Sequence, residues 1–174
     1  MESHKISLRI MDLDDVDDMM VWSTDPKVAK FCRWDPQTSK IEAIDYMNTK
    51  IISHPYHWAI CIDNTPVGAI MVAKNTGEDI CRGELGYVLG SECWGKGIAT
   101  VAVKLMAVMV FDDWPQLERL EAFVGVENKG SLRVLEKAGF TRDGVFRKYC
   151  IIKGKVSDMV IFSLLRSDPR PVVS

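Results

Sequence analysis

Trp94-Gly95-Lys96-Gly97-Ile98-Ala99-Thr100 lies between the alternating stretch Glu84-Leu85-Gly86-Tyr87-Val88-Leu89 and an apolar run that extends to residue 111. A strand, a glycine-bearing turn and a helix in this order gather backbone amides at a helix N-terminus. Unpaired N–H groups and the helix dipole suit an anion there, a phosphate above all. The glycine spacing is neither that of a P-loop nor that of the GxGxxG dinucleotide turn. Taken alone, such a loop serves equally well as a simple change of chain direction.

A second segment follows a strand predicted at 120–126: Asn128-Lys129-Gly130-Ser131-Leu132-Arg133-Val134-Leu135-Glu136-Lys137-Ala138-Gly139-Phe140. Asn128 suits a helix N-cap, Gly139 suits a helix stop, and the span 131–138 reads as the helix between them.

Towards the N-terminus, Ile6, Leu8 and Ile10 alternate with Ser7 and Arg9, the period of a half-buried strand at 6–11. Asp12 looks like an N-cap. After it, Val16, Met19 and Met20 recur at helical spacing, with Asp14, Asp15, Asp17 and Asp18 on the other face and close to the positive helix terminus. Asp25-Pro26 and Asp35-Pro36 break the chain, and Thr38-Ser39 starts a further helix with Ile41, Ile44, Met47 and Ile51 on one side. Strands at 57–62 and 67–73 flank the turn Asp63-Asn64-Thr65-Pro66, and a second hairpin at 145–152 and 156–165 turns at Lys153-Gly154-Lys155. The predicted order is β-αα-βββ-α-β-α-ββ, a mixed α/β fold, in one domain over residues 1–168 with a loose tail at 169–174.

The bulk properties exclude several classes. A hydrophobic content of 47% suits one well-packed domain, and 22 Lys plus Arg against 24 Asp plus Glu leaves a net charge of −2. No nucleic acid or anionic membrane partner is indicated. Five cysteines without CxxC or Cys/His spacing predict free thiols and no metal site. Glu2, His4, Lys5 and Arg9 interrupt the apolar residues of the N-terminus, so no secretory leader is expected and the predicted location is cytoplasmic or also nuclear.

Together the two quoted segments resemble the acyl-CoA-binding motifs of the GNAT N-acetyltransferase superfamily, and the predicted element order matches that fold, a mostly antiparallel twisted sheet flanked by helices. The stretch 84–100 is similar to the branch containing ribosomal-protein N-terminal (alanine or serine) acetyltransferases. The resemblance implies acetyl-CoA as cosubstrate, with the amides of Gly95, Lys96, Gly97, Ile98, Ala99 and Thr100 on the pyrophosphate. It further implies main-chain groups of Val88 and Leu89 on the pantetheine arm, and Asn128 and Ser131 at its far end. Trp94 stands where the superfamily pattern has Gln or Arg, which removes one polar contact and leaves the backbone ones.

The resemblance also implies direct attack of an amine on the thioester. Deprotonating a lysine costs about 4.6 kcal/mol at pH 7 and a chain N-terminus about 1.4, so a carboxylate base helps either. Glu84 is the first candidate, with Glu121 and Asp158 behind it; its alternative role is a surface pair with Arg82. Many relatives place a tyrosine in the second motif to protonate the thiolate, but Leu135 stands there, and Ser131 becomes the candidate acid. His54 and His57 read as loop and strand start, and Cys93 as a passive thiol. Trp22, Trp34, Tyr46 and Tyr56 fall in segments that commonly cover the acceptor, although packing explains them too. The expected acceptor is a protein or peptide α-amine, the alternatives being a small amine (polyamine, amino acid or aminoglycoside) or a non-catalytic acyl-CoA-binding module. Monomer and homodimer are left open.

Overall fold

A computed structural model describes residues 5–173; Glu2, His4 and the tail's Ser174 lie outside them. Seven strands form one sheet in the order β1-β2-β3-β4-β5-β7-β6. β1 (Ile6–Ile10), β2 (His57–Ile62), β3 (Thr65–Lys74) and β4 (Arg82–Leu89) pair antiparallel. So do β5 (Arg119–Gly125), β7 (Lys155–Leu165) and β6 (Thr141–Ile152). The junction of β4 with β5 is parallel. The sheet is therefore mixed, as the element order predicts, and mostly antiparallel, as the family resemblance implies.

Local chemistry explains the connections. Ile62 pairs with Thr65 across a two-residue turn, and Asp63 and Asn64 both adopt the positive φ that such hairpin turns require. β6 begins at Thr141, earlier than the alternation suggests, because irregularities at Arg142/Gly144 and Phe146/Cys150 disturb its period.

Three helices, not two, follow β1. They are α1 (Val16–Ser23), the short α2 (Pro26–Ala29) and α3 (Lys40–Tyr46), which runs on into a π-helical turn at Met47–Ile52. Asp25 caps α2 by accepting from the Lys27 amide at 2.8 Å, and Pro26 fits the first helical turn. The acidic run is not wholly a solvated face. Asp15 turns inward, 5% exposed, where its carboxylate accepts two bonds from Arg9 at 2.7 and 2.8 Å and one from the Asp12 amide at 3.0 Å.

Two cores result. Helices α4 (Ile98–Asp113) and α5 (Lys129–Lys137) cover one face, burying Val103, Met106 and Phe111 against Leu85, Leu120 and Phe162. On the other, α1 to α3 cover β2 and β3 through Met19, Trp22 and Met47 against Ala59 and Ala69. At about 1.5–3 kcal/mol for each large apolar side chain fully buried, these two layers dominate the favourable side of folding. All five cysteines are free thiols. Among the described residues no helix is long and apolar enough to cross a membrane, and no group of three or more His, Cys, Asp or Glu is placed to hold a metal.

Candidate active site

The site arises where two strands part. β4 and β5 pair only through Arg82, Gly83 and Glu84 with Arg119, Leu120 and Glu121. Beyond that point β4 follows β3 to Leu89 while β5 follows β7 to Gly125. The facing edges are left open, and backbone donors and acceptors there call for a partner. Two cavities meet in this wedge, of about 590 Å³ towards α4 and α5 and about 570 Å³ towards the α2–α3 loop and the β6–β7 hairpin. Phe31, Tyr87, Glu127, Asn128 and Ser131 line both.

The first cavity has the donors that a phosphate needs. Gly95 and Gly97 take positive φ (75° and 81°), the second as the residue before α4, so that the chain turns directly into the helix. The first bond into α4 runs from the Val101 amide to the Gly97 carbonyl at 3.1 Å, which leaves the Ile98, Ala99 and Thr100 amides unpaired at the helix start. Gly95, Gly97, Ile98, Ala99 and Thr100 line the cavity; Lys96 is exposed outside it. Lys129, Arg133 and Lys137 also line it and were missed from sequence. Their spacing of four, which sets residues on one helical face, is the signal that identifies them.

Two expectations about the strand edge change. Hydrogen bonds from the Gly90 amide to the Val67 carbonyl (2.8 Å) and from the Asn75 amide to the Arg82 carbonyl (3.2 Å) set the phase of the β3–β4 ladder. Antiparallel strands alternate bonded and non-bonded pairs, so the amide and carbonyl of Val88 face Ala69 of β3. The groups directed into the wedge are those of Leu85, Tyr87 and Leu89. Val88 therefore lines the cavity without offering its main chain, whereas the amide and carbonyl of Tyr87 face it. The Leu89 carbonyl is itself occupied: the Trp94 indole donates to it at 2.8 Å, and the ring meets Phe31 edge-on at 6.4 Å. Trp94 thus folds back over the end of β4 and is not aimed at an anion.

Asn128 is the N-cap of α5, its Oδ1 accepting from the Ser131 amide at 3.1 Å. Ser131 is half-buried and lines both cavities, its side chain beside the Tyr87 phenol. The Tyr87 hydroxyl donates to the Ser131 carbonyl at 3.2 Å, joining β4 to α5 where the cavities meet. Burial pushes its pKa up to about 12, so the phenol stays protonated. Leu135 is wholly buried in the core and contributes nothing to either cavity.

In the second cavity Glu84 is exposed and has no hydrogen bond or ion pair among the described residues. Its expected surface partner, Arg82, is engaged elsewhere, with Asp79 at 2.8 Å and Glu121 at 3.1 Å. Glu121 is buried and also accepts from Arg119 at 2.8 Å, so it serves the fold. Asp158 lines the cavity but accepts from the Lys148 amide at 2.7 Å. Glu127 pairs with Lys155 at 2.9 Å. His54 and His57 touch neither cavity; burial, then the neighbouring His54, holds His57 down at about 4, a neutral ring. Cys93 lines the first cavity beside Cys32, whose thiol burial pushes up to about 11 and leaves unreactive.

Of the aromatic residues flagged as acceptor cover, Trp22 is buried, and Trp34 and Tyr46 pack against the same core. Tyr56 packs on Trp114. Phe31 is the aromatic side chain of the α2–α3 loop that reaches the wedge.

The arrangement fits a phosphate-bearing thioester laid along the β4 edge, with an amine arriving from the opposite side. Residues 5–141 match the acetyltransferase (GNAT) domain family. The chain is 30% identical to the uncharacterized N-acetyltransferase p20 of Bacillus licheniformis, over 95% of this chain and 96% of that one. It is 32% identical to the putative ribosomal N-acetyltransferase YdaF of Bacillus subtilis (strain 168), over 50% of this chain and 47% of the relative. The fold superposes on the ribosomal-protein-S5-alanine acetyltransferase of Vibrio fischeri with a TM-score of 0.75, at 22% identity and 98% coverage of both chains. By the family match and by its parted strands, the chain belongs to the GNAT family of acetyl-CoA-dependent N-acetyltransferases.

Proposed function

We propose that the acceptor is the α-amine of a protein or peptide. The observation that carries this reading is Glu84, an exposed carboxylate without a partner among the described residues, on the wall of a broad cleft between the α2–α3 loop and the β6–β7 hairpin. A single solvated carboxylate suits an amine that is already partly neutral. The α-amine costs about 1.4 kcal/mol to deprotonate at pH 7, against about 4.6 for lysine. The partial similarity to a protein described as a putative ribosomal N-acetyltransferase supports the same reading.

In this proposal Glu84 takes the amine proton, directly or through water, and the β4 edge amides polarise the thioester carbonyl. The hydroxyl of Ser131 donates to the departing sulfur. The amides opening α4, with Lys129, Arg133 and Lys137 beside them, hold the phosphates. Tyr87 holds β4 against α5 at the point of transfer.

The test is acetyl-CoA-dependent thiol release against peptides with free N-termini, α-blocked lysine peptides, polyamines and aminoglycosides. Release driven by free α-amines and abolished by blocking them is expected. Release driven only by polyamines or aminoglycosides overturns the proposal.

A further inference from the structure

The charges around the acceptor cavity do not cancel in place. Its lining cations are Lys30, Arg33, Lys153 and Lys155, and its lining carboxylates are Glu84, Glu127 and Asp158. Lys153 is engaged by Asp35 and the Trp34 carbonyl, and Lys155 by Glu127. Asp158 accepts from the Lys148 amide. Among the described residues that leaves the Glu84 carboxylate on β4 without any partner and Asp158 on β7 without a cation, while the Arg33 side chain on the α2–α3 loop has no ion pair or hydrogen bond. Lys30 sits over the Phe31 ring at 5.4 Å, and its longer-range field also reaches Glu127. One cavity therefore presents unmatched negative charges on the strands, with Glu84 the carboxylate that makes no hydrogen bond, and two incompletely matched positive charges on the loop.

A polycation would meet Lys30 and Arg33 as like charges. A molecule with an amine at one end and an anion further along would satisfy both walls at once. We propose that the acceptor is such a dipolar molecule, its amine at Glu84 and a carboxylate of the same molecule at Lys30 and Arg33. On the reading of the cleft as a peptide α-amine site, on which this inference rests, the carboxylate belongs to an acidic side chain close behind the N-terminus.

The experiment compares kcat/KM for three peptides identical except for Glu, Gln or Lys at the second or third position. Glycine and glycinamide form a small-molecule arm, and spermidine a polycationic one. Two exposed ionic contacts of ordinary strength correspond to about a five- to tenfold preference for Glu over Gln, with Lys below both. That preference shrinks as salt is raised. Reversing the charges with Lys30→Glu and Arg33→Glu together is expected to place the Lys peptide first. The Kd for acetyl-CoA should not move, since neither side chain lines the first cavity.

Equal rates for the three peptides, or an order unmoved by charge reversal, overturns the inference, as does spermidine emerging as the best acceptor. If no peptide reacts but glycine is preferred over glycinamide, the peptide reading falls and the dipolar acceptor stands. If no amine drives thiol release, both fall.

Discussion

Replacing Glu84 by Gln keeps the size of the side chain and removes its ability to take a proton. Because Glu84 has no partner among the described residues, the substitution orphans nothing, and stability should stay within about 0.5 kcal/mol. The effect should fall on catalysis. An α-amine of pKa near 8 is about one-tenth neutral at pH 7. Positioned general bases contribute about 10²- to 10⁴-fold, and an exposed one belongs at the lower end. A loss in kcat of about a hundredfold, roughly 2.7 kcal/mol in the barrier, is therefore expected. The defect should be largest below pH 7 and shrink as pH passes the amine's own pKa, where attack no longer waits for deprotonation. Acetyl-CoA-dependent thiol release, measured from pH 6 to 9 at saturating acetyl-CoA, reads both features. A loss under threefold at pH 7 with unchanged melting temperature would refute Glu84 as the base. Glu121→Gln is the contrasting control: it removes a buried charge from between Arg82 and Arg119 and should cost stability, about 2–4 kcal/mol.

Ser131→Ala should lower kcat about tenfold through loss of one hydrogen bond to a developing charge, with acetyl-CoA affinity retained by isothermal titration; unchanged turnover removes the hydroxyl from the mechanism. Gly97→Ala adds a Cβ that meets nothing within 4 Å, so its cost is the backbone one of φ +81°, about 1–2 kcal/mol, read as a weaker Kd for acetyl-CoA and a lower melting temperature. For Asp15, hydrogen bonds from Arg9 hold the carboxyl below its usual range, so its contribution is complete above the unfolded value and disappears as pH falls through the folded one. Asp15→Asn should accordingly lose about 2 kcal/mol at pH 7, and denaturant titrations at successively lower pH should show the gap to the parent protein closing through the acidic range.

The periodicities that place β1, the first hairpin, α4 and α5 are local properties, since each follows from side chains a few residues apart. The turn at Gly95 to Thr100 is local as well: amides left unpaired at a helix start are a consequence of helix geometry at that point in the chain. Asn128 as the cap of α5 is legible for the same reason. The short α2 was less so, because four residues hold too little pattern to separate a helix from a turn.

What decides between roles depends on packing between distant segments. Asp79 competes for Arg82 from three residues away, but only the β4–β5 junction brings Glu121 to the same guanidinium and leaves the Glu84 carboxylate without a partner among the described residues. The inward turn of Asp15 needs Arg9 on β1. Val88 loses its expected main-chain role, and Tyr87 and the Trp94 indole acquire theirs, only once the phase of the β3–β4 ladder is set. The element order and the turn of unpaired amides before α4 are legible from the chain alone, because period-2 and period-3.6 patterns and helix ends are written in neighbouring residues. Which carboxylate is left without a partner, which strand edge is open and which charges line the second cavity follow from packing, because the β4–β5 junction and the Arg82–Glu121 pair join residues far apart in the chain.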